Sequence, residues 1–200
     1  TAADNAMTFQ TIVKTVAHRN GLYADFTPKP LHNEPGSGFH INISVKSDDG
    51  SDNTDYMIAG ILDKIEEMTA FLNPTEESYA RFGNSKAPGY ISWSSENRSQ
   101  LVRIPAAVGE YRRAELRSPD PSANTYLAFA LMIYASLYGI QNKLELQAPT
   151  DINLYKADIE TLARFEPLPG DLNSACIVAK KSDFIREHIP DAILDIYCKN

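Results

Sequence analysis

The feature that most constrains the fold is an uncharged segment that runs from Pro121 to Asn142. Its continuous apolar part, Tyr126 to Ala135, is too short to cross a lipid bilayer. Because apolar residues fall on nearly every side of the helix that this segment predicts, we expect a buried central helix. The segment therefore indicates the centre of a hydrophobic core rather than a membrane span.

Two further helices and one strand follow from the spacing of apolar residues. The helical period predicts amphipathic helices over Ala3 to Asn20, ended by Gly21, and over Tyr56 to Leu72, ended by Asn73-Pro74. From Phe39 to Val45, apolar and polar residues alternate with a period of two, which is typical of a strand with one buried face. His40 is on the polar side of that strand, so its side chain is expected to point away from the core.

Shorter elements complete the predicted fold. Three strands are predicted, at Tyr90 to Ser94, Gln100 to Ile104 and Tyr111 to Leu116, and three short helices, at Asp158 to Phe165, Ser182 to His188 and Pro190 to Tyr197. The expected fold class is α+β, with a curved, mostly antiparallel sheet and helices packed on one side. The chain is expected to be one unit in which residues 156–200 form a peripheral helical segment.

The charge balance excludes some partners. The 200 residues include 19 Lys and Arg against 26 Asp and Glu, for a formal net charge of -7. Such a chain has no overall basic field for nucleic acid or for an anionic membrane, so any anion must be bound by a local cluster.

The two cysteines, Cys176 and Cys198, have no CxxC spacing, which favours reduced thiols in the cytoplasm. The first residues contain neither an initiator Met nor a signal sequence, and we expect the chain to be part of something longer.

A glycine-rich loop, Gly36-Ser37-Gly38, leads directly into the strand that carries His40. Glycines let the backbone approach a ligand closely, and a neutral imidazole can bind a metal or polarise an oxygen atom. A tight turn followed by a surface histidine is the simpler interpretation of the loop taken alone.

Five arginines lie within twenty residues of this acidic chain, at positions 98, 103, 112, 113 and 117. The period of a strand puts Arg113, Glu115 and Arg117 on one face, and Arg98 and Arg103 lie around the neighbouring predicted strand. Fixed guanidinium groups suit the recognition of phosphate and carboxylate groups. A solvated ladder of Arg and Glu on an exposed sheet face is an equally good interpretation.

Five segments of the chain carry distinctive sequences, in the order GSGFHINIS, NPTEESYARF, APGYISWSSENRSQLVRIP, RRAELRSPDPSANTYLAFALM and INLYKAD. Together they resemble the C-terminal catalytic region of bacterial glutamine synthetases. The resemblance implies an enzyme that uses ATP to phosphorylate the γ-carboxylate of glutamate, after which ammonia displaces the phosphate from γ-glutamyl phosphate to give glutamine. It also implies two divalent metals, Mg²⁺ or Mn²⁺, a cytoplasmic location and a large homo-oligomeric ring.

The resemblance also implies roles for individual residues. His40 and Glu115 match ligands of the metal that bridges the ATP phosphates, a donor set compatible with Mg²⁺ or Mn²⁺. Arg98 and Arg103 match the pair that contacts the transferring phosphoryl group, and Arg113 matches a nucleotide phosphate contact.

Four more positions match the substrate-binding set. Arg81, Arg117 and the backbone at Gly36 resemble the residues that bind glutamate, and Ser44 falls where the family approaches the nucleoside. No nucleic-acid or membrane partner is implied.

Three positions depart from the family pattern. Pro35 replaces an asparagine that helps to hold glutamate, and Asn42 replaces a histidine near the nucleotide. Lys86 stands where the family has a glutamate that helps to deprotonate ammonium, and a lysine pointing inward would repel ammonium. Two alternatives therefore stay open: a γ-glutamyl ligase for another amine, and a relative that binds nucleotide or glutamate without turnover.

The family's upstream sheet domain and metal-binding glutamates have no counterpart in the first thirty residues, where only Asp4 and Asp25 are acidic. A complete two-metal site is therefore not expected from this chain alone, and the isolated chain is predicted to be inactive.

Overall fold

The computed structural model describes residues 1–83, 86–105 and 112–199. The helices are α1 (Ala2–Arg19), α2 (Thr54–Leu72), α3 (Glu76–Tyr79), α4 (Thr125–Asn142), α5 (Ile159–Leu162), α6 (Leu172–Lys181), α7 (Asp183–His188) and α8 (Asp191–Tyr197). The strands are β1 (Ile41–Ile43), β2 (Trp93–Ser94), β3 (Val102–Arg103) and β4 (Ala114–Leu116). This combination confirms the predicted α+β class.

The four strands form one sheet in the order β1-β4-β3-β2. β4 pairs antiparallel with both β1 and β3, whereas β2 and β3 are parallel, so the sheet is mostly antiparallel as predicted. In the register of these pairs, Glu115 lies opposite Asn42 on one side and opposite Arg103 on the other. The pairing therefore brings polar residues from three strands to one place.

The core lies between the other face of the sheet and the long helices. Ile41, Val102 and Leu116 point from the sheet into the same apolar cluster that contains the buried faces of α2 and α4. α2 and α4 approach so closely at Gly60 and Gly139 that a Cβ atom built on Gly139 would lie 2.1 Å from the Tyr56 carbonyl oxygen. The helices thus form the layer that supports the polar face from behind.

The expectation that α4 is buried on every side is wrong. Leu131 and Ala135 are fully buried, but Tyr126 is 52% exposed, Ile133 50% and Leu137 44%. One side of α4 packs against α2, while α1 contacts the N-terminal part of α4. Apolar residues are common on protein surfaces, so an all-apolar helix does not by itself establish complete burial.

The strands are shorter than the sequence pattern predicts. The alternation of exposure extends beyond β1, since Phe39 is half-buried and His40 is exposed, but ladder pairing covers only the residues opposite Ala114–Leu116. Tyr111, where the third predicted strand begins, lies outside the described residues. Side-chain alternation thus marks extended backbone, whereas pairing depends on the length of the neighbouring strand.

Helices within residues 156–199, in the segment predicted to be peripheral, contribute to the core. α6, which the sequence pattern did not predict, packs on α2 and buries Ala175 and Ala179 completely, and α7 adds the fully buried Ile185. α6 begins where the Asp171 side chain accepts a hydrogen bond from the Ser174 backbone N–H at 2.7 Å. Small residues on the inner face of α6 let it approach α2. Because these residues give only a weak hydrophobic signal, the sequence pattern did not predict this helix.

Within the described ranges, no helix combines the length and apolar character needed to span a membrane.

Candidate active site

Glu115 is the centre of a charged cluster on the polar face of the sheet. Its Oε1 atom lies 3.1 Å from Nδ1 of His40, and its Oε2 atom accepts a hydrogen bond from Nε of Arg103 at 2.7 Å. Nε of Arg117 lies 3.6 Å from the same Oε2 atom. The strand period had predicted that Glu115 and Arg117 share a face, and pairing with β1 and β3 adds His40 and Arg103.

The pKa values of Glu115 and His40, the two members of the cluster that are not arginines, are both lowered. Burial raises the pKa of Glu115, but the hydrogen bond and charge of Arg103, with the charges of His40 and Arg117, bring it below its usual value. Burial, and then the charge of Arg117, lower the pKa of His40 against the opposing effect of Glu115. At neutral pH the site therefore presents a carboxylate beside a neutral imidazole, and both are metal-ligand forms.

Arg117 and Arg81 are almost completely buried, at 4% and 2% exposure. Among the described residues, no hydrogen-bond partner is found for Nε and Nη1 of Arg117 or for Nε of Arg81. Buried polar groups are nearly always hydrogen-bonded, so unpartnered guanidinium nitrogens in a protein need a reason. An anionic ligand would supply the missing acceptors.

Arg81 is positioned by the segment that follows β4. Its Nη1 atom donates to the Ser118 carbonyl oxygen at 3.0 Å and lies 3.5 Å from Oδ2 of the fully buried Asp120. Asn73, at the end of α2, donates from Nδ2 to the same Oδ2 atom at 3.0 Å. Asp120 is a positioning residue that sequence reasoning missed, because its acidic side chain in a Pro-rich turn gave no sign of burial.

Gly36 lies directly against Arg81. A Cβ atom at Gly36 would lie 2.6 Å from the Pro28 carbonyl oxygen and 2.7 Å from Cγ of Arg81. The loop therefore needs glycine at this position to let Arg81 occupy its place. Pro35 lines a cavity of about 370 Å³ beside Gly36 and Arg81.

Arg113 and Ser44 lie farther out on the polar side. Arg113 is exposed, and its Nε atom donates to Oδ1 of Asn42 at 2.9 Å. Asn42 thus fixes the side chain of Arg113. Ser44 is exposed two residues beyond Asn42. Arg112 points elsewhere and pairs with Asp52 and Asp55.

Arg98 is exposed at the edge of the cluster, where its charge lowers the pKa of Arg117 after the larger effect of burial. The hydroxyl of Tyr155 donates to the Arg98 carbonyl oxygen at 3.2 Å. Tyr155 lies in INLYKAD, one of the segments that resemble the family, but the sequence alone assigned it no role. Lys86 is exposed and has a φ of +86°, in the region that favours glycine.

The donor set fits part of a divalent metal site. His40 and Glu115 supply an imidazole nitrogen and carboxylate oxygens, although Arg103 and Arg117 already engage Oε2 of Glu115. No group of three or more His, Cys, Asp or Glu side chains that could hold a metal occurs in the part of the chain that the structure describes. Mg²⁺ commonly takes one or two carboxylates and completes its shell with water and substrate phosphates.

A family model described as the glutamine synthetase catalytic domain matches residues 1–200. This chain belongs to the glutamine synthetase family. It is 43% identical to the glutamine synthetase of Methanosarcina mazei and 41% identical to that of Thermotoga maritima. These two alignments cover 98% and 96% of this chain, respectively, and 47% of each relative. The chain thus spans about half the length of the curated relatives that it matches.

Solved structures support the same membership of the glutamine synthetase family. A GmaS chain in complex with ADP superposes with a TM-score of 0.87 at 30% sequence identity, covering 98% of this chain and 49% of that one. Apo GmaS without ligand gives a TM-score of 0.83 at 31% identity, with 98% and 48% coverage. These comparisons confirm the family that the sequence motifs indicated.

Proposed function

We propose that this chain is the C-terminal part of the catalytic domain of an ATP-dependent ligase that joins glutamate and ammonia into glutamine. The observation that carries this proposal is the set of buried guanidinium nitrogens of Arg117 and Arg81 that make no hydrogen bond among the described residues. Family membership makes glutamate, ATP and ammonia the substrates to test first.

Arg81, Arg117 and the backbone at Gly36 are proposed to bind glutamate. The two arginines are held in low-dielectric surroundings, where a guanidinium–carboxylate pair is stronger than in water. The carboxylate of Asp120, 3.5 Å from Nη1 of Arg81, compensates the positive charge of Arg81. The guanidinium nitrogens of Arg81 and Arg117 that make no hydrogen bond among the described residues are proposed to donate to the substrate carboxylate.

Arg98 and Arg103 are proposed to stabilise the charge that develops on the phosphoryl group as it passes from ATP to the γ-carboxylate. Phosphoryl transfer depends on positioning and on electrostatic stabilisation more than on covalent catalysis by the protein. Arg113, fixed by Asn42, is proposed to contact the nucleotide phosphates, and Ser44 to lie near the nucleoside. Ammonia then attacks the carbonyl carbon of γ-glutamyl phosphate and phosphate leaves.

His40 and Glu115 are proposed to hold one divalent metal, Mg²⁺ or Mn²⁺. When bound, such a metal neutralises phosphate charge and orients the phosphates. The lowered pKa values of His40 and Glu115 keep both side chains in the forms that bind metal at neutral pH. Water and the substrate phosphates would supply further ligands.

The first test is an assay of the complete protein with glutamate, ATP, Mg²⁺ and ammonia, following glutamine and phosphate together. His40→Ala and Glu115→Ala should each raise the Mg²⁺ concentration needed for half-maximal activity by at least about tenfold, as loss of groups around a metal generally does. His18→Ala, an exposed histidine on α1, serves as the matched control. An unchanged metal requirement in both variants would contradict the metal assignment.

Arg98→Lys separates transition-state stabilisation from substrate binding. We expect kcat to fall on the order of 100-fold while KM for ATP changes much less, because lysine keeps the charge but not the fixed planar fork. A change in KM alone would reassign Arg98 to substrate positioning.

A second candidate is a γ-glutamyl ligase for another amine. The observation that favours it is Lys86, a cation exposed in the turn where the family places a glutamate. The same assay with methylamine, ethanolamine and polyamines in place of ammonia distinguishes the two enzymes by kcat/KM. Binding of ATP and glutamate without turnover of any amine would indicate a non-catalytic relative instead.

The complete protein is proposed to form a homo-oligomeric ring in the cytoplasm. No residue of α1 is buried, and its apolar residues Phe9 and Ile12 are 61% and 55% exposed, which supports an additional packing partner. Sedimentation of the complete protein tests the assembly, and a stable monomer at micromolar concentration would contradict it.

A further inference from the structure

Residues 147–155 form an extended strap that lies against residues 93–100, beside the charged cluster around Glu115. The strap is attached along its length: the Thr150 backbone N–H donates to the Trp93 carbonyl oxygen at 3.0 Å, and Ser94 Oγ donates to Asp151 Oδ1 at 2.9 Å. Nδ2 of Asn97 donates to the Asp151 carbonyl oxygen at 2.8 Å. Hydrogen bonds of both backbone and side chain therefore hold the strap in one register.

The attachment continues up to the residue before Tyr155. Gln100, which is fully buried, donates from Nε2 to the Ile152 carbonyl oxygen at 2.9 Å. The backbone N–H of the buried Leu154 donates to Oγ of Ser99 at 2.9 Å. Tyr155 thus projects from a fixed point, and its location does not depend on a mobile loop.

The Tyr155 hydroxyl joins two segments at the edge of the site. It donates to the Arg98 carbonyl oxygen at 3.2 Å, and the backbone N–H of Lys86 is close enough to lower the pKa of the phenol. Lys86 has a φ of +86°, which a non-glycine residue holds only where its surroundings support it. One hydroxyl group therefore holds the main chain that carries Arg98 and lies beside the unfavourable backbone conformation at Lys86.

The phenol is also close to the buried arginines. Burial raises the pKa of Tyr155, against the charges of Arg117 and Arg81 and the effect of the Lys86 backbone N–H. The hydroxyl consequently keeps its proton at neutral pH, and only the protonated form can donate to the Arg98 carbonyl oxygen.

We infer that Tyr155 is a positioning residue, whose hydroxyl group fixes the main chain at Arg98 beside the Lys86 turn. This inference rests on the proposed ligase function for its effect on catalysis, but the positioning itself does not. Tyr155 acts through Arg98 and need not touch the substrate. Removing the hydroxyl should loosen two segments that the strap otherwise leaves in place.

The first experiment compares Tyr155→Phe with the wild type by hydrogen exchange of the complete protein. Exchange should increase in peptides that cover residues 86–89 and 95–100 and stay unchanged in α2 and α4. Tyr138→Phe is the matched control, because Tyr138 is half-buried on α4 and packs against Phe184, and it should leave those peptides unchanged. Unchanged exchange at 95–100 in Tyr155→Phe overturns the inference, whether or not the protein has ligase activity.

The second experiment measures turnover by the same variants. Tyr155→Phe should lower kcat about three- to tenfold, in line with the loss of one or two hydrogen bonds, and leave KM for ATP within about twofold. In an Arg98→Ala background, Tyr155→Phe should lower kcat by less than about twofold, since residues that act through one another are not additive. Equal effects in both backgrounds overturn the inference. A wild-type protein without turnover refutes the proposed function, and the exchange result then decides the inference by itself.

Discussion

At the scale of single residues, the site depends on buried charges with incomplete partners. Glu115 engages three basic groups, whereas Nη1 of Arg117 and Nε of Arg81 have no hydrogen-bond partner among the described residues. An unpaired buried donor is costly by itself, but a ligand that supplies acceptors removes the cost. The groups that cost stability when unpaired are therefore the ones expected to bind an anionic ligand.

Gly36→Ala tests how closely the glycine loop is fitted to Arg81. The added Cβ atom would come within 2.7 Å of the Arg81 side chain and 2.6 Å of a backbone oxygen, so either the loop or Arg81 must move. We expect KM for glutamate to rise about tenfold or more, since displacement by about 1 Å is enough to disrupt a site. Titration of the complete protein with glutamate measures the change.

Gly170→Ala is the control for this substitution, because a Cβ atom there would meet no atom within 4 Å. It should bind glutamate as the wild type does. Equal KM values for Gly36→Ala and the wild type would show that Arg81 does not depend on the loop.

At the scale of elements, the contact between α2 and α4 sets the distance between the two main core helices. Gly60 and Gly139 face each other, and a Cβ atom at Gly60 would lie 2.2 Å from the Ala135 carbonyl oxygen. Because backbone atoms oppose backbone atoms, neither helix can relieve such a clash by rotating a side chain. The glycines thus determine how closely the helices behind the sheet pack.

Gly139→Ala should lower the free energy of unfolding by about 3 kcal/mol, the upper part of the range for overpacked cores, despite the better helix propensity of alanine. Urea denaturation followed by circular dichroism measures the change. Leu137→Ala on the same helix is a suitable control, since Leu137 is 44% exposed. It should change the free energy by within about 0.5 kcal/mol. Similar values for the two variants would mean that the glycine contact is not tight.

Glu66 on α2 gives a pH-dependent prediction. Burial first, and then the charges of Glu166 and Glu67, raise the pKa of Glu66 above its usual value. A carboxyl group with a raised folded-state pKa favours the folded state at low pH and loses that contribution as pH rises through the folded-state pKa. Glu66→Gln should therefore raise Tm at pH 7, and the difference should shrink as pH falls toward 4.

Glu77→Gln on α3 is the control for Glu66→Gln, because Glu77 is exposed. Its Tm should follow that of the wild type across the same pH range. A Tm of Glu66→Gln that stays below the wild type at pH 7 would contradict the proposed repulsion.

At the scale of the whole molecule, the described chain provides many basic groups of the site and few acidic ones. His40 and Glu115 are the two metal-ligand candidates brought into contact, while Arg81, Arg98, Arg103 and Arg117 surround them. Such a surface binds anions better than it binds metals. The balance implied by the family requires carboxylates beyond those on this face.

The isolated 200-residue chain should accordingly bind inorganic phosphate weakly and show no ligase turnover with glutamate, ATP, ammonia and Mg²⁺. Calorimetric titration with phosphate measures binding, and Arg117→Ala should reduce it, while Arg186→Ala, far along the chain on α7, should not. Turnover above background that Glu115→Ala abolishes would contradict this prediction.

Much of the local structure followed from the sequence. The helical period located α1 and α2, the uncharged apolar segment located α4, and the period of two correctly assigned His40, Asn42 and Glu115 to a polar face. These predictions succeeded because they depend on local spacing, which the backbone geometry fixes. α6 was missed because its buried face consists of small residues with a weak hydrophobic signal.

The sequence by itself determined most of the elements, the polar faces of the strands around His40 and Glu115 and, through its motifs, the family. Only the tertiary structure decided which of those residues meet. The antiparallel pairing of β4 with β1 and β3 puts Glu115 between His40 and Arg103, and the strap puts Tyr155 against Arg98. The exposed side of α4 and the buried place of Asp120 were likewise decided by packing. Contacts between residues distant in sequence depend on register and on the packing of whole elements, and local spacing carries no information about either.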